Sequence, residues 1–253
     1  METQPNQTAP AAAPAGGGPS LSVFQRAVAI FTRPGAAWSG LQTKSQWWFP
    51  MIVLMLCNVA FAGLLWNRAI LPTQLDAMEA KVADGSMQPQ QLEQAENMMR
   101  SPAGLAFAIV PWIVISPVIN MFVALLIMFT VGFLLGGKLP FRLSLEVATW
   151  SGLVQIPAIL ITGLLAWFRQ SMEGVHVSLA ALLPEPERTN RVMHVVMGIL
   201  DGLGPFGIWL LVVMIIGAST LAGVPRKRAA WAVGGMYVAL VIFFSALGAM
   251  FRR

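Results

Sequence analysis

One long apolar run restricts the possible folds of this chain more than any other feature. No charged residue lies between Arg100 and Lys138, a stretch of 37 residues whose centre is rich in Ile, Val, Leu and Phe. About 20 apolar residues are enough for a helix to cross the hydrocarbon core of a bilayer. The run therefore predicts a transmembrane helix over about 105–136, and with it an integral membrane protein.

Four further segments have the same character. Charged residues make up only 11% of the chain, against roughly 25% in soluble domains. We therefore predict an all-α fold, a polytopic membrane helix bundle of five transmembrane helices spanning residues 45–251. The predicted spans are about 47–66, 105–136, 143–168, 204–221 and 230–250, and the outer loops are 67–104 and 169–203. Within the second outer loop, 190–200 is predicted to form a short amphipathic helix on the membrane surface.

The region before the first span divides into two parts. Residues 1–19 consist mostly of Gly, Pro, Ala, Gln and Thr, which is typical of a disordered tail. Residues 20–44 begin with a stretch whose apolar side chains occupy one half of a helical wheel, and Pro34 ends that stretch. This pattern predicts an N-terminal amphipathic interfacial helix. The alternative is that the helix only packs on the ends of the bundle.

The distribution of charge predicts the orientation. With the N-terminus in the cytoplasm, the inner segments are short and basic, and Glu2 is their clear acid, with Glu146 at a membrane boundary. The outer segments hold nine acids, and most of their bases are spread over two long loops. Short basic loops stay inside, so we expect a cytoplasmic N-terminus and a C-terminus outside.

The same basic segments are candidates for contact with anionic lipid, because each base near a membrane surface adds to the attraction. The alternative is that these charges only set the topology. No basic helix interleaved with aromatic residues is present, so no nucleic-acid partner is expected. The candidate lipid or interface contacts are Phe24, Arg26, Phe31, Arg33, Lys138, Arg142, Arg226, Lys227 and Arg228.

The sequence offers little that indicates catalysis. The tetrapeptide at 217–220 resembles the serine motif of rhomboid-type intramembrane proteases, but both histidines, His176 and His194, fall in a predicted outer loop, and Ser219 needs a base inside the membrane. The single Cys57 excludes a cysteine cluster within one chain. We therefore expect no enzyme activity, no catalytic residues, no cofactor and no metal site.

Polar residues inside the spans leave two interpretations open. They either line a path for a small solute, an ion or a lipid between the second and third spans, or hold helices together by hydrogen bonds. Glu146 follows Arg142 by one helical turn, so an i,i+4 ion pair is its first explanation. The candidate path residues are Asn58, Asn120, Glu146, Ser151 and Gln155.

Three groups of residues resemble the Yip-domain family of membrane proteins, in particular its bacterial members. They are Phe31-Thr32-Arg33-Pro34 with Trp38, then Gly137-Lys138, Phe141, Ala148-Thr149-Trp150 and Pro157, and finally Leu200-Asp201, Phe206 and Ile208-Trp209.

This resemblance implies a five-helix protein with a cytoplasmic N-terminus, placed here in a bacterial cytoplasmic membrane. Similar eukaryotic proteins work in vesicle trafficking with small GTPases, whereas the resemblance implies no established reaction for bacterial members. The favoured function is a membrane-organising scaffold that acts through lipids, other membrane proteins or self-association. The alternative is a transporter or scramblase for a small solute, an ion or a lipid.

Overall fold

A computed structural model describes residues 21–184 and 190–251 of the chain. Within these residues the fold is all-helical, and five helices are long and apolar enough to cross a membrane. The predicted five-span helix bundle is thereby confirmed. The expected disordered tail at 1–19 lies outside the described residues, and so do three charged residues of the second outer loop, Glu185, Glu187 and Arg188.

The first half of the chain contains α1 (Val23–Thr32), α2 (Trp48–Leu65), α3 (Leu71–Ala83) and α4 (Pro89–Arg100). Helix α1 begins with a capping box between Ser22 and Gln25. A π-helical turn, Trp66–Ile70, joins α2 to α3 without interruption. The first span is therefore part of a continuous helical segment, Trp48–Ala83, which extends past the predicted end of the span at residue 66.

The second span is α5 (Pro102–Phe129), extended by a second π-helical turn at Thr130–Leu134. The third consists of two helices, α6 (Phe141–Gly152) and α7 (Gln155–Arg169), rather than the single predicted helix. Pro157 lacks the N–H that would bond the carbonyl of Leu153, and a tighter bond from the N–H of Ile156, 3.0 Å long, takes its place.

The last part contains α8 (Arg191–Gly202), α9 (Pro205–Ala222) and α10 (Arg226–Phe251). Helix α8 packs closely along α10. A Cβ added at Gly198 would lie 2.9 Å from the Cβ of Ser245, and one at Gly202 would lie 2.6 Å from a methyl group of Val241. The expectation that 190–200 rests on the membrane surface is therefore wrong, because glycines let this helix lie against the last span.

Helix α6 lies at the centre of the bundle. Its residues Leu143–Ser151 are all buried, and α1, α2, α5 and α9 pack around it. Helix α1, the loop 135–140 and the turn 223–225 lie together at one end, since Gly137 adjoins Val224 and Gly35 adjoins Arg226. We call this end the α1 side, and the end that carries α4 the α4 side.

Candidate functional site

A buried polar cluster fastens the N-terminal segment to the bundle. We define the Arg26 cluster as Arg26, Ser45, Gln46, Glu146 and Trp150. The guanidinium of Arg26 donates from Nε to Gln46 Oε1 (2.8 Å) and lies over the indole of Trp150, 5.7 Å from the ring centroid. Its two other nitrogens donate to the backbone carbonyls of residues 37 and 39. Every nitrogen of this side chain therefore has an acceptor.

The carboxylate of Glu146 forms the other half of the cluster. Its Oε1 accepts hydrogen bonds from the backbone N–H of Gln46 (2.7 Å) and from Ser45 Oγ (3.1 Å). Its Oε2 accepts one from Trp150 Nε1 (3.0 Å). Glu146 is 0% exposed. A buried charge of this kind is tolerated because hydrogen bonds replace its water.

The cluster corrects two predictions about ion pairs and the polar path. Arg142 does not pair with Glu146; it donates to the carbonyls of Leu41 (3.0 Å) and Gln42 (2.7 Å). Glu146 faces the docked N-terminal segment and so lies on no path between the second and third spans. Ser151 is also buried within α6 and does not line the cavity described below.

Arg26 itself was predicted to contact lipid, and the structure places it differently. It is 1% exposed, on the same face of α1 as the buried Ala29 and Ile30. Burial lowers the pKa of the Arg26 guanidinium, and the negative charge of Glu146 opposes that shift. Arg26 thus lies on the face of α1 that is turned toward the protein, where carbonyl groups and the cluster satisfy its hydrogen bonds.

The opposite face of α1 is apolar and exposed. Phe24 is 72% exposed, Val28 63% and Phe31 41%. The ring of Phe24 packs edge-on against Phe49, 5.4 Å between centroids, and Phe49 packs against the half-exposed Trp48 at the start of the first span. This places the apolar face of α1 beside the point where the first span begins.

Basic side chains lie at the same end of the bundle. Six of them are exposed, and among the described residues of the α1 side the one acid is the buried Glu146. Arg142 is half-buried by its bonds to the backbone. We call the apolar face and these bases the α1 surface; the bases are Arg33, Lys44, Lys138, Arg226, Lys227 and Arg228.

A second region is a cavity of about 680 Å³ that is lined mainly by α5, α8 and α10 and also by residues of α2, α6, α7 and α9. Most of its lining is apolar. Three of the five predicted path residues, Asn58, Asn120 and Gln155, line it together. Asn58 donates to the carbonyl of its own helix at Leu54 (2.8 Å), and Asn120 donates likewise to Ser116 (2.9 Å). Their amide groups thus bond within one helix and do not tie helices to one another.

At the α8 end of the cavity lie polar residues that the sequence did not single out as a site. Asp201 accepts hydrogen bonds from Ser178 Oγ (2.5 Å) and from His176 Nδ1 (2.9 Å), and the hydroxyl of Tyr237 donates to the carbonyl of Gly202 (2.8 Å). The available signal was an acid followed by Gly-Leu-Gly-Pro directly before an apolar span, which indicates a helix break.

The tetrapeptide at 217–220 has a structural role in the described fold. A Cβ at Gly217 would lie 2.6 Å from the ring of the buried Trp38, so this glycine makes room for the N-terminal segment. Ser219 Oγ donates to the carbonyl of Val224 (2.7 Å) just after the end of α9. These contacts give Gly217 and Ser219, two of the four residues, a role in packing and helix termination that does not involve catalysis.

Comparison with known proteins identifies a family. Residues 28–248 match the family model of the Yip1 domain, which includes half of α1, the first four spans and all but the end of the fifth. No curated protein and no solved structure matches the chain.

Proposed function

The chain belongs to the Yip1 domain family and is a multi-pass membrane protein, and from that premise we propose that it is a membrane-organising scaffold that acts through its α1 surface. The observation that carries the proposal is the apolar face of α1, Phe24, Val28 and Phe31, exposed beside the first span. Lipid is the proposed contact of this face, and other membrane proteins or further copies of the chain are its proposed partners.

The energetics support lipid as the contact. Each surface base adds about 1 kcal/mol of attraction to an anionic leaflet, and the α1 surface carries six exposed bases with no exposed acid among the described residues of that side. Burying an exposed Phe or Val side chain adds about 1.5–3 kcal/mol more. The Arg26 cluster holds the helix in place, so little conformational entropy is lost on contact.

The test uses the full chain in lipid nanodiscs. We replace Cys57 by Ser and Val28 by Cys, and attach an environment-sensitive fluorophore at position 28. The proposal predicts a blue-shifted emission that brominated lipid quenches, more strongly in discs containing anionic lipid. The control carries the same label on a cysteine at position 84, where Asp84 is exposed on the α4 side, and its emission is that of a fluorophore in water.

Emission at position 28 that matches the label at position 84 would contradict the lipid contact. In that case the bases only set topology, which was the alternative interpretation of the sequence. Replacing Phe24 and Phe31 by Ser should weaken the quenching while leaving the unfolding temperature unchanged, because both side chains are exposed.

The proposal includes an orientation and a membrane. We place the α1 side in the cytoplasm and the C-terminus outside, in a bacterial cytoplasmic membrane, because the described residues of the α1 side expose bases in short segments and no acid, whereas those of the α4 side expose acids as well as bases. Alkaline phosphatase fused to the C-terminus should be active. A C-terminal fluorescent protein that glows while the phosphatase fusion stays inactive would reverse the orientation.

We also propose that the protein works without catalysing a reaction. The hydroxyl of Ser219 is used in a hydrogen bond to the carbonyl of Val224, which supports a capping role. A serine-reactive fluorophosphonate probe should leave the purified protein unlabelled at Ser219, and stoichiometric labelling there would refute this proposal.

A second candidate function is movement of a small solute, an ion or a lipid between the second and third spans. The cavity favours it, because Asn58, Asn120 and Gln155 line one continuous space. In liposomes, flux or lipid flipping that falls when Gln155 is replaced by Leu would support transport. If liposomes that contain the protein show no more flux or lipid flipping than empty liposomes, the scaffold function is favoured.

A further inference from the structure

A break between two helices precedes the fourth span. Helix α8 ends at Gly202 and α9 begins at Pro205, next to Tyr237 and Val241 of α10. Helix α9 has 18 residues and is by itself long enough to cross a membrane, so the break lies at the N-terminal end of the fourth span.

Irregular backbone next to a membrane span is tolerated where it lines a cavity. Here the break borders the 680 Å³ cavity, which Asp201, Gly202 and Tyr237 all line. Asp201 stands in the last turn of α8, where the helix dipole is already negative. A carboxylate and a helix C-terminus together create a site of negative potential, which favours a positively charged group.

The described residues around the cavity supply little positive charge of their own. No Lys or Arg among them lines it. Two histidines, His176 and His194, line it and are charged only when their rings are protonated; Nδ1 of His176 bonds to Asp201. A ligand whose head group carries only negative charge would meet repulsion from Asp201, whereas a terminal ammonium group would be attracted to it.

The rest of the cavity suits an apolar chain and opens toward lipid. Trp112, Ile119 and Phe244 line it and are also exposed on the outer surface of the bundle. Helix α10 packs on the π-helical turn Thr130–Leu134, whereas the body of α5 is not among its close neighbours. The two helices thus leave a lateral opening that begins beyond this turn and leads from the bilayer to Asp201.

We propose that this cavity binds an ammonium-bearing amphiphile. The ammonium group lies at Asp201, within reach of Ser178, and the apolar chain lies between α5 and α10. The volume is within the range of about 300–1,000 Å³ that is usual for small-ligand sites. The ligand comes either from the bilayer, as an aminolipid, or from solution, as a long-chain amine. This inference does not depend on lipid contact at the α1 surface.

The test measures binding to the full chain in a neutral maltoside detergent. Equilibrium dialysis compares dodecylamine, dodecanol and dodecanoate, which share a chain and differ in the charge of the head group. We expect saturable binding of one dodecylamine, weaker binding of dodecanol and none of dodecanoate. Equal binding of all three, or no saturable binding of the amine, would overturn the proposal.

Two pairs of variants locate the site. Asp201→Asn should weaken dodecylamine binding at least about tenfold, while Asp76→Asn, the same change at an exposed residue of α3, should leave it unchanged. Gly248 lines the cavity and has open space around its Cβ position. Gly248→Phe should therefore block binding without touching Asp201, and this keeps the test valid if Asp201→Asn fails to fold.

Gly234→Phe is the control for this block, because Gly234 also has open space and lies on α10 outside the cavity lining. Undiminished binding to Gly248→Phe would overturn the proposal. Lysophosphatidylethanolamine that competes with dodecylamine identifies a bilayer source; failure to compete identifies a free amine. Phe24→Ser should bind dodecylamine normally, so a failure of the α1 surface and a failure of this site are distinguishable.

Discussion

The Arg26 cluster and the cavity both place polar side chains inside an apolar bundle, but they use them in opposite ways. In the cluster, the carboxylate of Glu146 bonds to residues about 100 positions earlier in the chain, and the side chains of Arg26 and Gln46 bond across 20 and 25 positions. In the cavity, Asn58 and Asn120 bond only to carbonyls of their own helices. The first arrangement holds the fold together, and the second leaves polar groups facing an open space.

This difference shows that a polar residue inside a membrane span can have either of two roles. A group that bonds across elements stabilises one arrangement of the chain and is costly to remove. A group that bonds within its own helix contributes little to packing and stays available to a ligand. Stability measurements on matched variants separate the two cases, because the first should be sensitive to substitution and the second tolerant.

The largest effect should come from removing one member of the Arg26 cluster. Glu146→Ala leaves the buried donors of Gln46 and Trp150 without an acceptor and removes the negative charge near Arg26, so we expect a loss of about 3–5 kcal/mol. Chemical unfolding in detergent measures it, and proteolysis at Lys44 reports release of the N-terminal segment. Arg33→Ala, at an exposed base of the same segment, is the control and should change stability by less than about 0.5 kcal/mol. Equal losses for the two variants would show that the cluster does not hold the segment.

A smaller effect should follow from crowding the contact between the N-terminal segment and α9. Gly217→Ala places a methyl group 2.6 Å from the ring of Trp38, so the indole must shift, and we expect a loss of about 1–3 kcal/mol. Gly234→Ala is the matched control, because the space around it is open. This control should be neutral or more stable by up to about 1 kcal/mol. A neutral Gly217→Ala would mean that Trp38 is not packed against this glycine in the membrane.

The smallest effect on stability should come from the cavity asparagines. Asn58→Leu and Asn120→Leu each remove a bond within one helix and add apolar surface, so we expect a change of less than about 1 kcal/mol. The same purified variants are then reconstituted into liposomes and assayed for flux and lipid flipping. Preserved stability with lost movement would favour the transport alternative. A loss as large as that of Glu146→Ala would show that these residues hold helices together, and the contrast between the two regions would fail.

The spans were predictable because hydropathy over about 20 residues is sufficient to identify a membrane helix. Their interruptions were not, because they depend on single residues. Pro157 divides the third span, and the Gly-Leu-Gly-Pro segment at 202–205 separates α8 from α9. Such residues also occur in uninterrupted membrane helices, where neighbouring groups satisfy the backbone. For the segment at 202–205, the interruption is evident only from the packing of α8 along α10 in the folded structure.

The helical wheel of α1 shows the same limit. It correctly groups Phe24, Val28 and Phe31 on the face opposite Arg26. It does not say which face meets the protein, and in a membrane protein an apolar face has two possible neighbours, the core and the lipid. The acceptors that draw Arg26 inward include Gln46 and the carbonyls of the turn before the first span. The cavity gives a second example. The amides of Asn58 and Asn120 bond to carbonyls of their own helices, and no sequence pattern predicts that choice of partner.

The separation of about 100 residues between Gln46 and Glu146 also sets an order of events during synthesis. A ribosome adds about 5–20 residues per second, so the segment before the first span waits roughly 5–20 seconds for Glu146. During this interval the acceptors of Arg26 at residues 37, 39 and 46 are already made, but the carboxylate of Glu146 and the ring of Trp150 are absent and α6 does not yet enclose the side chain. In the proposed orientation Arg26 is then a cationic residue on the cytoplasmic side of the first span, which favours retention of the N-terminus there, and later it anchors the segment to the bundle. Nascent chains stalled at residue 140 should expose Lys44 to protease, and chains stalled beyond the third span should protect it.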